Sequence, residues 1–479
     1  MNMGKPMQDT GKMPPVAERL ASFVTATSYT DLPKYVISKV KEQLIYHIGL
    51  ALWARDGNTE AASMLRTVEM MAVGPDNSKA ASKVIGSDKN FLLNASDAAF
   101  ANSVLMRAKW KDDVVWPSGI HAGILVYPAG LAYGDIRSSS GQDFLTSCAL
   151  GYEIVGKLGG EGKAWSARFP RRDTMIFGAF ASMTTAGYLL RLDPEKMAAG
   201  FGFAANLCSG VPEEGQMDHF YGLIARNACY AAEMVDMGAV PYWPRTIEGD
   251  VGLYESFFGV VPDQLNEWVE NLGSDWEILR AEQKRHYGTG QNAVAIEAMI
   301  DLTRKHNISA EAVKQVDVYL PFGDENKARQ SILAYQGPFL SLTDATSSLP
   351  YALSLVLIKG VVQAEFYTDQ AFAENIVGKL PSQIQLHFRP EDAHRSPRYC
   401  RLNVLLKNGQ VLQSEKEGLS YAFPKEDWQA WLENLDPGLL GPSRLSQICE
   451  MVADLENMKS ISELLRLLTT TSKTGEANG

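Results

Sequence analysis

Residues that hold metals or cross-links are scarce in this chain. Its five cysteines (Cys148, Cys208, Cys229, Cys400 and Cys449) are an odd number, widely spread and without a CxxC pair, which argues against a disulfide framework or a thiolate zinc site. None of the seven histidines stands at ligand spacing from another, so no metal site is expected. Phosphate-loop, HExxH and GxSxG patterns are missing, and the glycine clusters lack the strand-then-helix setting of a dinucleotide fold, so no nucleotide cofactor is expected either. Basic residues are outnumbered: 45 Lys and Arg face 56 Asp and Glu, for a net charge of −11. That balance excludes an extended phosphate-binding face and with it nucleic acid as a partner. No run of 18 apolar residues occurs, and "MNMGKPMQDTGKMPP" has no apolar core of signal-peptide length, so the expectation is a cytoplasmic protein with no membrane partner. Disordered tails are expected at 1–14 and 471–479.

Apolar residues are plentiful. They make up 46% of 479 positions, enough for a large core and more than one domain. From Pro15 to about Arg245 they recur at helical spacing: in "GQDFLTSCALGYEIVGKLGG", Phe144, Cys148, Tyr152 and Val155 share one face and Gly159-Gly160 stops the element. In "LDPEKMAAGFGFAANLCSG", Asp193 is placed to cap a helix that opens on Pro194, and Gly210 to stop the chain. After Trp243 the period changes. "AVKQVDVYL", "SQIQLHF" and "RLNVLLKNGQVLQSE" alternate as strands do, the last with an Asn408-Gly409 hairpin turn. Helical patterns intervene at "NAVAIEAMIDLTRKH" and "SSLPYALSLVLIKG" and return after Pro424. The fold class expected is mainly α, a large all-helical domain (15–273 with 419–470) plus a smaller α+β lid domain (274–418).

The stretch "KWKDDVVWPSGIHAG" gathers Lys109, Asp112, Asp113 and His121 between apolar segments. It reads either as a solvated loop with self-neutralising charges or as a reactive site. Asp112 and Asp113 suit a helix N-cap pair or acid/base groups. His121 suits a loop histidine or a proton carrier near neutrality. Trp110, Trp116 and Tyr127 read as core or cleft wall.

Six segments in order, "AFANSVLMRAKWKDD…IHAG", "GQDFLTSCALGYEIVGKLG", "FGAFASMTTAGYLLRLDPEKMAAGFGFAANLCSG", "RTIEGDVGLYESF", "KRHYGTGQNAVAIEAMIDL" and "DATSSLPYALSLVLIKG", resemble the MmgE/PrpD family of dehydratases, decarboxylases and epimerases. The resemblance implies a helical domain built from both chain ends, an α+β lid, a homodimer, and a metal-free site between domains that acts on a small-molecule carboxylate. In the family the first segment runs Asp-aromatic-Asp/Asn-Asp-Thr and then His-Pro. Here Trp110, Asp112 and His121 match, whereas Lys109 replaces the leading aspartate and Asp113 the threonine. A family histidine segment has become "ARFPRRDTMIFG", which puts Arg171 or Arg172 near the histidine position. A family lysine is missing at "EEGQMDHFYGLIARNA", leaving Met217, Asp218 or His219. Lys284 is retained in "KRHYGTGQNAVAIEA", beside His286, and Tyr335 in "LAYQGPF" matches a family tyrosine.

The resemblance therefore implies a cofactor-independent lyase with an altered site: His121, Asp112, Asp113 and Lys284 catalytic, and Lys109, Arg171, Arg172, His219, His286 and Tyr335 binding substrate. An epimerase or isomerase on the same scaffold, or a binding protein that lost catalysis, are the alternatives.

Overall fold

A computed structural model describes residues 13–55, 68, 70, 72, 81–160, 173–208, 218–240, 244–288, 292–321, 330–331, 333–392, 398–418 and 423–470. The chain is mainly α, with a small mixed sheet in its C-terminal half. Helices α1 (Val16–Ala26), α2 (Lys34–Trp53), α3 (Ala95–Arg107), α4 (Gly123–Ile136), α5 (Gly141–Gly159), α6 (Asp173–Leu189), α7 (Pro194–Asn206) and α8 (Asp218–Asp236) make up the first half. Their start and stop signals act as the sequence indicates. Ser140 caps α5 by accepting from Asp143 N–H, and Gly160 ends it at φ 58°. Asp193 caps α7 by accepting from Lys196 N–H, while the expected stop at Gly210 lies outside the described residues. Phe144, Cys148, Tyr152 and Val155 are fully buried, and side chains of this size each contribute about 1.5–3 kcal/mol on leaving water.

The sheet of the second half has the order β6-β5-β7-β8, built from β5 (Val313–Leu320), β6 (Ile384–Phe388), β7 (Tyr399–Leu406) and β8 (Val411–Glu417). β5 and β6 run parallel and the other pairs antiparallel. Gly409 sits at φ 89° in the β7–β8 turn, a backbone region that L side chains rarely adopt and glycine enters freely. Helices α9 (Ala293–His306) and α10 (Leu349–Lys359) pack with this sheet around Val316, Val318, Leu402 and Val404.

Two hydrophobic cores result. One runs through α1 to α8, continues to Ala281 and takes in the C-terminal helices α11 (Trp428–Leu435), α12 (Pro442–Ala453) and α13 (Ser462–Leu467). The other spans Tyr287 to Leu412. Trp53, at the end of α2, packs against both. The C-terminal return is tight: Gly141 N–H donates to Met458 O at 2.9 Å, and a Cβ at Gly141 would lie 1.6 Å from Leu455 O.

Two short pairings are invisible to periodicity. Ala81–Lys83 (β1) and Leu92–Asn94 (β2) form a small antiparallel pair. Val114–Val115 (β3) pairs antiparallel with Ala281–Glu282 (β4), in the register Val114 to Glu282 and Val115 to Ala281. Carried two residues beyond the ladder, that register sets Asp112 opposite Lys284.

Candidate active site

Asp112 is the centre of the site. It follows a turn closed by Trp110 N–H donating to Arg107 O at 2.8 Å, with Trp110 at φ 55°, a conformation that costs a non-glycine residue of order 1–3 kcal/mol. The turn folds the end of α3 back on itself, so that Arg107 Nη1 reaches Asp112 Oδ1 at 2.6 Å. From the facing segment, two residues past β4, Lys284 Nζ donates to Trp110 O at 2.9 Å and lies 3.3 Å from Asp112 Oδ1. His121 Nδ1 lies 2.7 Å from Asp112 Oδ2 and 2.9 Å from Asp113 O. Arg107, Asp112 and Lys284 are all buried. Arg107 also stacks over Trp110, 4.5 Å from the ring centroid, and over Tyr221 of α8 at 5.1 Å.

The electrostatics follow from this crowding. Burial alone would raise the Asp112 carboxyl, but Arg107, His121 and Lys284 outweigh it and hold it well below its ordinary value, so Asp112 is an anion at neutral pH. Burial lowers Lys284 to about 8 against the pull of Asp112, with Arg107 adding to the depression. For His121, 19% of the side chain is exposed, yet the surrounding protein makes burial the largest influence, and it lowers the ring below 6.5 although Asp112 acts in the opposite sense. Both atoms facing Nδ1 are acceptors, which assigns the proton of the neutral ring to Nδ1 and leaves the lone pair on Nε2. At pH 7 two cations, Arg107 and Lys284, thus face one carboxylate beside a neutral imidazole.

Asp113 has a different position from its neighbour. It is fully buried; Oδ1 accepts from Gly123 N–H at 3.0 Å at the start of α4, Oδ2 accepts from Tyr152 at 2.7 Å, and His47 Nε2 lies 3.2 Å from Oδ1. An anion at a helix N-terminus is stabilised by the unsatisfied N–H groups there, and this one fixes where α4 begins. A Cβ on Gly123 would meet the His47 ring at 2.2 Å, so only glycine admits that approach. His121 is held on the same framework, its N–H donating to Thr174 Oγ1 of α6 at 2.9 Å.

The remaining residues singled out from the sequence make other contacts. Lys109 is buried with Nζ over the Trp53 ring at 5.1 Å. His286 Nε2 pairs with Glu297 Oε1 of α9 at 2.7 Å. Tyr335 donates its hydroxyl to Pro338 O at 2.6 Å and packs edge-on against Phe339 in the second core. Arg171 and Arg172 lie outside the described residues, and so does the side chain of His219, whose backbone is in the first turn of α8. The sequence reading missed Arg107; its signal was one arginine closing an apolar helix five positions before Asp112. It also missed Gln43, Tyr46 and His47 of α2, where consecutive polar residues interrupt an apolar helix. Among the described residues no cluster of metal-ligating side chains occurs, and no helix is long and apolar enough to cross a membrane.

Comparison with known families agrees with this organisation. The MmgE/PrpD N-terminal domain matches residues 18–265 and the MmgE/PrpD C-terminal domain residues 290–425. No curated protein matches the chain's sequence at a significant level.

Replacing Asp112 with Asn should lower the His121 pKa further, because the carboxylate is the main influence that raises it. Chemical-shift titration of selectively labelled histidine checks the sign, and an upward shift in Asp112→Asn would contradict the assignment of the pair.

Proposed function

We propose that this chain, which belongs to the MmgE/PrpD family, is a lyase whose acid–base chemistry is supplied by protein side chains and whose substrate is a small polycarboxylate. Membership of the family points to a dehydratase-type or related activity. The observation that carries the finer reading is the surplus of positive charge about Asp112, next to a histidine with one nitrogen committed and the other available.

Arg107 and Lys284 are suited to hold a substrate carboxylate, Arg107 through its planar fork and Lys284 as a compact point charge. His121 Nε2 removes the proton from the carbon next to that carboxylate. The electron pair then passes toward the carboxylate oxygens, where the two cations stabilise the growing charge, and the leaving group departs from the adjacent carbon. Lys284, protonated below about 8, is the group able to protonate a departing hydroxide. Asp112 is ionised, so its part is to hold the cations and the ring. Asp113 sets the position of α4. The two cores are read as two domains, with Lys284 on the segment that joins them, so that closure would expel water and strengthen each charge contact.

A homodimer is part of the same reading. On α8 the exposed residues Phe220, Leu223 and Tyr230, with Met237 just beyond its end, recur at spacings that keep them on one face, the pattern of a helix seam awaiting a partner. Tyr230→Asp should move the protein from dimer to monomer in sedimentation; a wild-type monomer would refute the seam.

The catalytic account predicts a bell-shaped pH dependence of kcat/KM on a panel of di- and tricarboxylates. His121 must be neutral, so activity falls as pH drops through a value below 6.5; Lys284 must be charged, so it falls again as pH rises through about 8. His121→Ala should cost roughly two to four orders of magnitude in kcat, and turnover should survive chelation. Exchange of the substrate proton with solvent, without elimination, would assign an epimerase instead. No turnover or exchange on any carboxylate would leave a binding protein.

A further inference from the structure

Helix α2 carries a polar stripe in a buried place. Gln43, Tyr46 and His47 are almost wholly excluded from solvent and, three and four residues apart, they share one helix face. Each reaches a different part of the site, Gln43 and Tyr46 its backbone and His47 a side chain. Gln43 Nε2 donates to Ala281 O of β4 at 3.1 Å. His47 Nε2 lies beside Asp113. The Tyr46 hydroxyl contacts Lys111 O and, at 3.2 Å, Lys284 O.

Those two carbonyls belong to the residue before Asp112 and to Lys284 itself, where the β3–β4 ladder has already ended. Beyond the last ladder pair no strand hydrogen bond fixes the separation of the two segments. Two lysine side chains cross the gap, Lys284 Nζ to Trp110 O at 2.9 Å and Lys111 Nζ to Arg285 O at 3.3 Å, but both are long and flexible; one phenolic proton on a fixed ring, shared by carbonyls from both sides, sets the spacing of the backbones themselves. The ring cannot drift, because it is stacked on Trp431 of α11 at 4.9 Å and 13°, meets Phe423 edge-on at 6.1 Å, and its own backbone carbonyl accepts from Trp431 Nε1 at 3.3 Å. Gly49 makes the approach of Trp431 possible, since a Cβ there would meet Nε1 at 2.4 Å.

We propose that Tyr46 is a positioning residue for the reaction, setting the distance between Asp112 and Lys284 by bridging the carbonyls of Lys111 and Lys284, and that Trp431 acts on the site through it. The inference rests on the reading of Lys284 as substrate-binding cation and proton donor. It also gives the C-terminal helices a part in catalysis although they touch no reacting group.

Tyr46→Phe separates positioning from packing. The phenyl ring keeps the stacking and the burial that lowers Lys284, whereas loss of the bridge lengthens the contact with Asp112, the influence that raises it. The alkaline limb of kcat/KM should therefore move below about 8, with KM for the carboxylate substrate rising several-fold. Trp431→Phe should move both in the same direction by less. A Tyr46→Phe limb that stays near 8 or moves upward, with only thermal stability reduced, would overturn the proposal and leave Tyr46 a packing residue. Lys284→Met, measured alongside, keeps the two readings apart. If it retains wild-type kcat/KM and pH profile, the reading of the site itself fails; if it loses activity while Tyr46→Phe leaves the limb in place, only the positioning role fails.

Discussion

One ionised carboxylate holds the site together. Asp112 is fully buried and bears contacts from an arginine at the end of α3, a lysine from the segment just after β4 and a histidine from the loop before α4. Burying a lone carboxylate costs several kcal/mol, and the three partners that offset this come from three separate parts of the chain. Removing Asp112 would leave Arg107 and Lys284 as buried cations without their shared counter-ion. The unusual backbone of Trp110 fits the same requirement, because its left-handed turn brings Arg107 and Asp112 together and presents a carbonyl to Lys284.

The two neighbouring aspartates show how position divides work between identical side chains. Asp112 meets the cations Arg107 and Lys284, which on the proposed reading share their charge with a substrate carboxylate. Asp113 engages both oxygens within the protein, with Gly123 N–H and Tyr152, and His47 lies alongside. Placing a carboxylate at the start of α4 fixes the loop that carries His121, so the second aspartate acts on the first through the backbone.

Much of this was legible in sequence. The change of hydrophobic period after Trp243 marks the passage from helices to the mixed sheet, and Asn408-Gly409 marks a hairpin because glycine is needed where φ is positive. Lys109, Asp112, Asp113 and His121 stand together in the chain, so their proximity needs no fold to be seen. What could not be read was the partner across the site. The β3 and β4 strands are two residues long each, too short for alternation to declare them, and their register is what sets Lys284 opposite Asp112. Arg107 and the α2 stripe were hidden for another reason: a polar residue in an apolar helix gives no sign in sequence of which buried group it serves. His286 pairs with Glu297 and Tyr335 with its own loop, partners that local similarity gave no sign of.

On the proposed reading, the surroundings of Asp112 accept an additional anion. Lys284, lowered to about 8 by burial, should regain its proton when a carboxylate arrives beside it, since a nearby negative charge favours the charged amine. Calorimetric binding of an unreactive tricarboxylate slightly above pH 8, in buffers of different ionisation enthalpy, counts the protons exchanged. Net proton uptake that disappears in Lys284→Met is the predicted result; binding with no proton uptake in the wild-type protein would contradict it.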